Sequence, residues 1–117
     1  MTHKEMCIKI WEYLALTGDK NKNKAIRNLF NKELAHYLIH EHHGCPACLE
    51  AFINKKTGNH QCEACPIDWG HGSCMEEGAN YVFWRSACCK ITRIEQARKV
   101  LFLIRTTWKE GDNAKNV

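Results

Sequence analysis

The sequence predicts a small, mostly α-helical domain carrying a zinc-stapled β-hairpin of zinc-ribbon or treble-clef-like type. Three observations lead there: two C-x2-C pairs separated by a short turn-rich segment, amphipathic helical patterns on either side, and a chain of only 117 residues. That length fits one compact domain, and 44% hydrophobic with 26% charged residues marks a globular chain. No apolar run approaches the roughly 18–20 residues of a membrane span. The N-terminus enters an amphipathic segment directly, so no secretory signal is expected and a cytoplasmic location is inferred.

The eight cysteines mean either disulfides or metal, and a reducing compartment favours metal. Cys45 and Cys48 form one pair, Cys62 and Cys65 the other, with 13 residues between them. A two-residue spacing lets one tight turn aim both sulfurs at one ion, and two such turns supply the four thiolates of a tetrahedral zinc site. A redox C-x2-C reading accounts for one pair and leaves the second idle. Phe52 and Ile53 read as a short strand, 54–59 as a turn, and His60-Gln61 as the return. Cys74, His60 and His43 remain alternate ligands. Cys7, Cys88 and Cys89 lack pair spacing, fall in predicted helices and read as small buried hydrophobes. Four thiolates leave no open coordination position, so the ion is a structural staple and a catalytic role is not expected.

Thr2 and Glu5 have capping-box spacing, predicting a helix over 3–16 that ends at Gly18. Ile26, Leu29, Phe30, Leu34, Tyr37 and Leu38 predict a second helix over 24–42. Asn80–Cys89 reads as a third, with a strand as the alternative. Thr92 and Glu95 repeat the capping-box spacing ahead of a helix ending near Trp108, with Ile94, Ala97, Leu101, Ile104 and Trp108 as its apolar stripe. Residues 1–44 thus form an N-terminal helical part, 45–75 the zinc-binding knuckle module, 76–110 a C-terminal helical part, and 111–117 a flexible tail. Trp11, Trp69 and Trp84 are assigned to the core.

The formal charge of +4 falls to near +2 once four thiolates and one dication are counted. Its distribution is polarised. Residues 20–32 hold Lys20, Lys22, Lys24, Arg27 and Lys32 with no acid, while 85–109 hold seven basic residues against Glu95 alone. On the last helix Arg98, Arg105 and Lys109 line one stripe, with Phe102 beside it. This reads as a contact surface for an acidic protein or a nucleic-acid backbone; otherwise it is a solvated face with Phe102 under a neighbouring element. No phosphate-cradling glycine loop, H-E-x-x-H or nucleophile elbow is present. The histidines His36, His40, His42 and His43 invite an HNH-like nuclease reading, yet no His-Asn-His constellation follows.

Taken together, Cys45-Pro46-Ala47-Cys48, Cys62-Glu63-Ala64-Cys65-Pro66-Ile67-Asp68-Trp69, Cys74 and Tyr81-Val82-Phe83-Trp84-Arg85 resemble a group of small zinc-ribbon-like proteins encoded mainly by bacteriophages and prophages. The resemblance spans residues 6–100, and its most specific piece is C-x2-C-P-x2-W followed by a further Cys. It implies one Zn2+ on Cys45, Cys48, Cys62 and Cys65, a bacterial-host cytoplasm and a viral setting. It implies no catalytic mechanism. The function read from the whole is a non-enzymatic accessory protein that binds a host or phage protein, a defence or transcription factor, and modulates or inhibits it. The alternative is a nucleic-acid-binding accessory protein using the basic helix faces.

Overall fold

The computed structural model describes residues 1–54, 65–70, 74–75 and 78–109. Six helices appear among them: α1 (His3–Thr17), α2 (Lys22–Leu29), α3 (Lys32–Glu41), α4 (Pro46–Asn54), α5 (Asn80–Ser86) and α6 (Lys90–Thr107). No strand occurs among the described residues, and this overturns the β-hairpin expectation. The physical reason lies at Pro46. A proline at the first helical position forgoes only an N–H that would be unpaired there, and the Cys45 carbonyl accepts the N–H of Cys48 (3.0 Å) and Leu49 (3.2 Å). Once nucleated, the run Ala47-Cys48-Leu49-Glu50-Ala51 propagates the helix, and it carries Phe52 and Ile53, expected as strand, into α4. The rest of the expected hairpin, including His60 and Gln61, lies outside the described residues. The described residues build a single all-helical domain.

α1 begins where the capping-box spacing places it. The Thr2 hydroxyl accepts the Glu5 N–H at 3.1 Å. The expected second helix is two helices, because Asn31 turns its side chain onto the Leu34 N–H (2.8 Å) and caps α3 afresh. The second capping box, Thr92–Glu95, does not form: α6 starts two residues before Thr92, with Cys89 as its N-cap.

α1 and α6 make the most extensive helix pair, and α5 packs on α6. The two run antiparallel. The C-terminal end of α1 meets the start of α6, where Arg93 Nε donates to the Gly18 carbonyl (2.9 Å), and Glu12 pairs with Arg105 further along (2.9 Å). Ile10, Trp11 and Leu14 face Ala97, Val100, Leu101 and Ile104 across one core. Trp11 meets Trp84 edge-to-face with ring centroids 5.0 Å apart, a favoured aromatic geometry. Segment 65–70 docks beside the end of α6: the Pro66 carbonyl accepts the Lys109 N–H (2.9 Å) and Thr107 Oγ1 accepts the Asp68 N–H (2.9 Å). Its Ile67 and Trp69 are buried. No helix among the described residues is long and apolar enough to cross a membrane.

Gly18 closes α1 at φ 70°, donating its N–H to the Leu14 carbonyl. A Cβ there would sit 2.5 Å from Lys90 Cγ and 3.1 Å from Ile94 Cγ1. Gly18→Ala combines left-handed strain of about 1–2 kcal/mol with a displaced Lys90. A lowered denaturant midpoint with unchanged slope is the expected result, measured by circular dichroism.

Candidate functional site

The chain leaves α3 through a tight corner. His43 (φ 57°) and Gly44 (φ 65°) are both left-handed, and the Gly44 N–H reaches back to the Leu38 carbonyl at 2.7 Å. A side chain on Gly44 would crowd Asn23 Oδ1 at 3.0 Å and Ile26 Cδ1 at 3.1 Å, so this position requires glycine on two counts. The corner delivers Cys45 to the N-terminal end of α4, directly beside α1.

There the thiols gather. Cys45 lies within hydrogen-bonding reach of both Cys48 and Cys7, and Cys65 and Cys74 stand close enough for their charge to act on Cys48. Hydrogen bonds from the Cys48 and Cys7 thiols hold the Cys45 thiol well below its ordinary pKa, assisted by Lys22 and the Cys48 N–H. Burial, with Cys45 alongside, pushes Cys7 well up. The same neighbouring thiol, with burial, pushes Cys48 up. One thiolate shared among several sulfurs is the pattern of a soft-donor centre. The described cysteines form no disulfide. Among the described residues no three donors are arranged to hold a metal ion, and Cys62 and His60 lie outside them. Donor chemistry therefore suits a thiophilic ion, while the described sulfurs alone do not complete a coordination sphere.

Two cysteine expectations change. Cys7 is buried (1% exposed), but it is a member of the thiol cluster and not mere filler. Only the fold brings it there, since no spacing in the sequence links it to Cys45. Cys88 and Cys89, expected buried in a helix, are exposed. α5 stops at Ser86, so they occupy the turn before α6.

Lys22 stands beside this centre. Its Nζ donates to the Tyr81 hydroxyl (3.1 Å) and lies 4.8 Å from the Tyr81 ring centroid. Burial disfavours its charge, but the Cys45 thiolate and Tyr81 more than offset that and raise its pKa. Lys20 and Lys22 line one groove together with His43, Tyr81, Trp84 and Arg85. Lys24 is drawn off to Asp19 (3.6 Å), and Arg27 is exposed on α2.

The other basic surface is α6. Arg98, Phe102 and Lys109 are exposed, whereas Arg105 is engaged by Glu12. Phe102 is 65% exposed and no element among the described residues covers it. Ile91, not singled out by the sequence pattern, is 78% exposed on the same helix. The histidines do not converge. His36 and His40 stack on α3 (4.3 Å), His42 is buried against Tyr37 and Phe52, and His43 faces the groove.

No protein-family model, curated protein or solved structure matches this chain. The functional reading rests on its own geometry.

The exposed cysteines give a direct check on that geometry. The Thr92 hydroxyl, 3.1 Å from Cys89 Sγ, and N–H groups at the start of α6 lower the Cys89 pKa from its ordinary value of 9.0. Thiolate is the reactive form, so Cys89 alkylation by iodoacetamide rises with pH and reaches half its maximal rate below pH 9.0. Thr92→Val shifts that midpoint upward, and Cys7 is modified only after denaturation. Mass-spectrometric mapping of the labelled sites reads out both.

Proposed function

We propose that this chain is a non-enzymatic, zinc-stapled binding protein that docks the outer face of α6 on an acidic segment of a host or phage protein, modulating that partner by occupancy. The observation that carries the reading is the exposure of Ile91 and Phe102. They are 11 residues apart, close to three full turns, so both fall on one stripe about 16 Å long. Arg98 lies between them one turn from Phe102, and Lys99 flanks it. Glu95 on this stripe is turned toward Lys99 (3.6 Å), which leaves Arg98 as the unopposed charge there among the described residues. Apolar knobs beside cations match a protein surface with carboxylates around an apolar recess. A phosphate backbone would satisfy Arg98 but would leave Ile91 and Phe102 without a partner.

Zinc enters as the staple. The ligands would be the two pairs that the spacing singles out, Cys45 and Cys48 on the first turn of α4 with Cys62 and Cys65, or Cys74 in place of one of them. The described members are not by themselves arranged to hold an ion, so the assignment rests on the spacing. A dication on four thiolates carries a net −2, and Lys22 beside Cys45 offsets part of that charge. The ion would tie α4 to the segment docked under α6, so its binding energy becomes folding energy.

Two measurements test this reading. Elemental analysis is expected to find one zinc per chain, lost in Cys45→Ser and Cys48→Ser and retained in Cys88→Ser and Cys89→Ser. Folded, reduced protein without metal refutes the staple. For the surface, a photo-cross-linking residue at position 102 is expected to capture an Asp/Glu-rich segment of one protein in infected or prophage-bearing cells. Arg98→Glu should lower that yield at least tenfold. Yield unaffected by Arg98→Glu removes this face from the function.

A further inference from the structure

A second site lies away from the α6 stripe, between the start of α2, the His43–Gly44 corner and α5. It is a groove of about 510 Å³ lined by Lys20, Lys22, His43, Tyr81, Trp84 and Arg85, together with Asn21 and Asn23. No carboxylate among the described residues lines it. Asp19, next to Lys20 in the chain, accepts the Asn21 N–H (2.9 Å) and pairs with Lys24 (3.6 Å), so its charge is already committed. Lys22 is held by Tyr81 and the thiol centre, whereas Lys20 and Arg85 pair with no carboxylate among the described residues.

The inner wall of the groove is aromatic: Trp84 is 4% exposed, and the Tyr81 ring lies against it with centroids 5.9 Å apart. His43, a non-glycine residue in the left-handed region (φ 57°), also lines the groove. Cations from three side chains, Lys20, Lys22 and Arg85, meet on this wall and favour an occupant that carries negative charge.

We infer that this groove is a phosphate-binding site, in which Lys20 and Arg85 take the charge. The volume lies within the range of small-ligand sites and exceeds what one isolated phosphate requires, so the ligand is a phosphate ester. Two sources share that chemistry: a free nucleotide, or the backbone of a single strand crossing the groove. The site is independent of the α6 surface and stands if that proposal fails.

The test uses the full-length, metal-replete protein and two probes, ATP and a fluorescent oligothymidylate, followed by anisotropy at low and moderate salt. Binding of at least one probe is expected, weakening as salt rises. The exposed-site double variant Lys20→Glu/Arg85→Glu should weaken it at least tenfold. Arg98→Glu, on the other surface, should leave binding within twofold of wild type. Competition assigns the source: oligonucleotide displaced by ATP at stoichiometric excess identifies a nucleotide site, and oligonucleotide retained identifies a strand site. Failure of both probes to bind at low salt overturns the inference. So does binding that Lys20→Glu/Arg85→Glu leaves intact, or binding that Arg98→Glu reduces equally, since the latter reports only diffuse positive charge.

Discussion

α1 is the constraint on which the remaining structure depends. It contacts α2, α4 and α6, and four of its residues within one and a half turns serve different neighbours. Cys7 reaches the thiol centre, Ile10 fills the core, Trp11 meets Trp84 and Tyr81, and Glu12 holds Arg105. Because a helix fixes the angular relation among these side chains, the position of Cys45 relative to Cys7 and that of α6 relative to α1 cannot vary independently. Burial of the Ile10, Trp11 and Leu14 face orders the helix. The thiol centre and the charged surfaces follow from where that face must lie.

How much of this was legible in the sequence varies with the range of the interaction that decides each feature. The Thr2–Glu5 spacing predicts the start of α1 because an N-cap is settled within three residues. The apolar stripe Ala97, Leu101 and Ile104 predicts the buried face of α6 because periodicity needs no knowledge of the partner. The β-hairpin expectation failed at Phe52 and Ile53, where β-prone side chains follow a strong helix start. The short apolar run Ala51-Phe52-Ile53 fits either element, and the nucleating turn at Pro46 decided for the helix. The break at Asn31 was missed for a related reason: the apolar spacing runs straight through it, while a single side-chain hydrogen bond to Leu34 restarts the chain.

Long-range features were beyond sequence spacing altogether. The pairs Cys45/Cys48 and Cys62/Cys65 signal a thiol centre because their members are local, but nothing near Cys7 announces that it joins them. The groove of Lys20, Lys22, Tyr81, Trp84 and Arg85 draws on two stretches some sixty residues apart. Each stretch alone looks ordinary: a polar loop, and an aromatic helix. A count of charge could flag residues 20–32 as basic, yet it could not tell that Lys24 is neutralised by Asp19 while Lys20 is not. Pairing also corrects the count at the other end, since Arg105 is held by Glu12 in the α1–α6 contact and does not stand in an open cationic stripe.

Lys22 links the two halves of the functional picture. It stands between the Cys45 sulfur and the Tyr81 hydroxyl, on the wall of the groove. Without a metal it faces the Cys45 thiol, whose pKa is held down, together with the Tyr81 hydroxyl. In the proposed zinc-bound centre it faces a cluster of net charge −2, and part of its field is cancelled there. At an effective dielectric constant near 20 a unit charge pair at 4 Å is worth about 4 kcal/mol, so redistributing even a fraction of that interaction alters the potential in the groove by an amount an anion would feel. Lys20 and Arg85, on the solvent side, are screened from that change. An ion acting as a staple for the fold would therefore also tune how strongly the inner end of the groove attracts negative charge, without touching anything bound there.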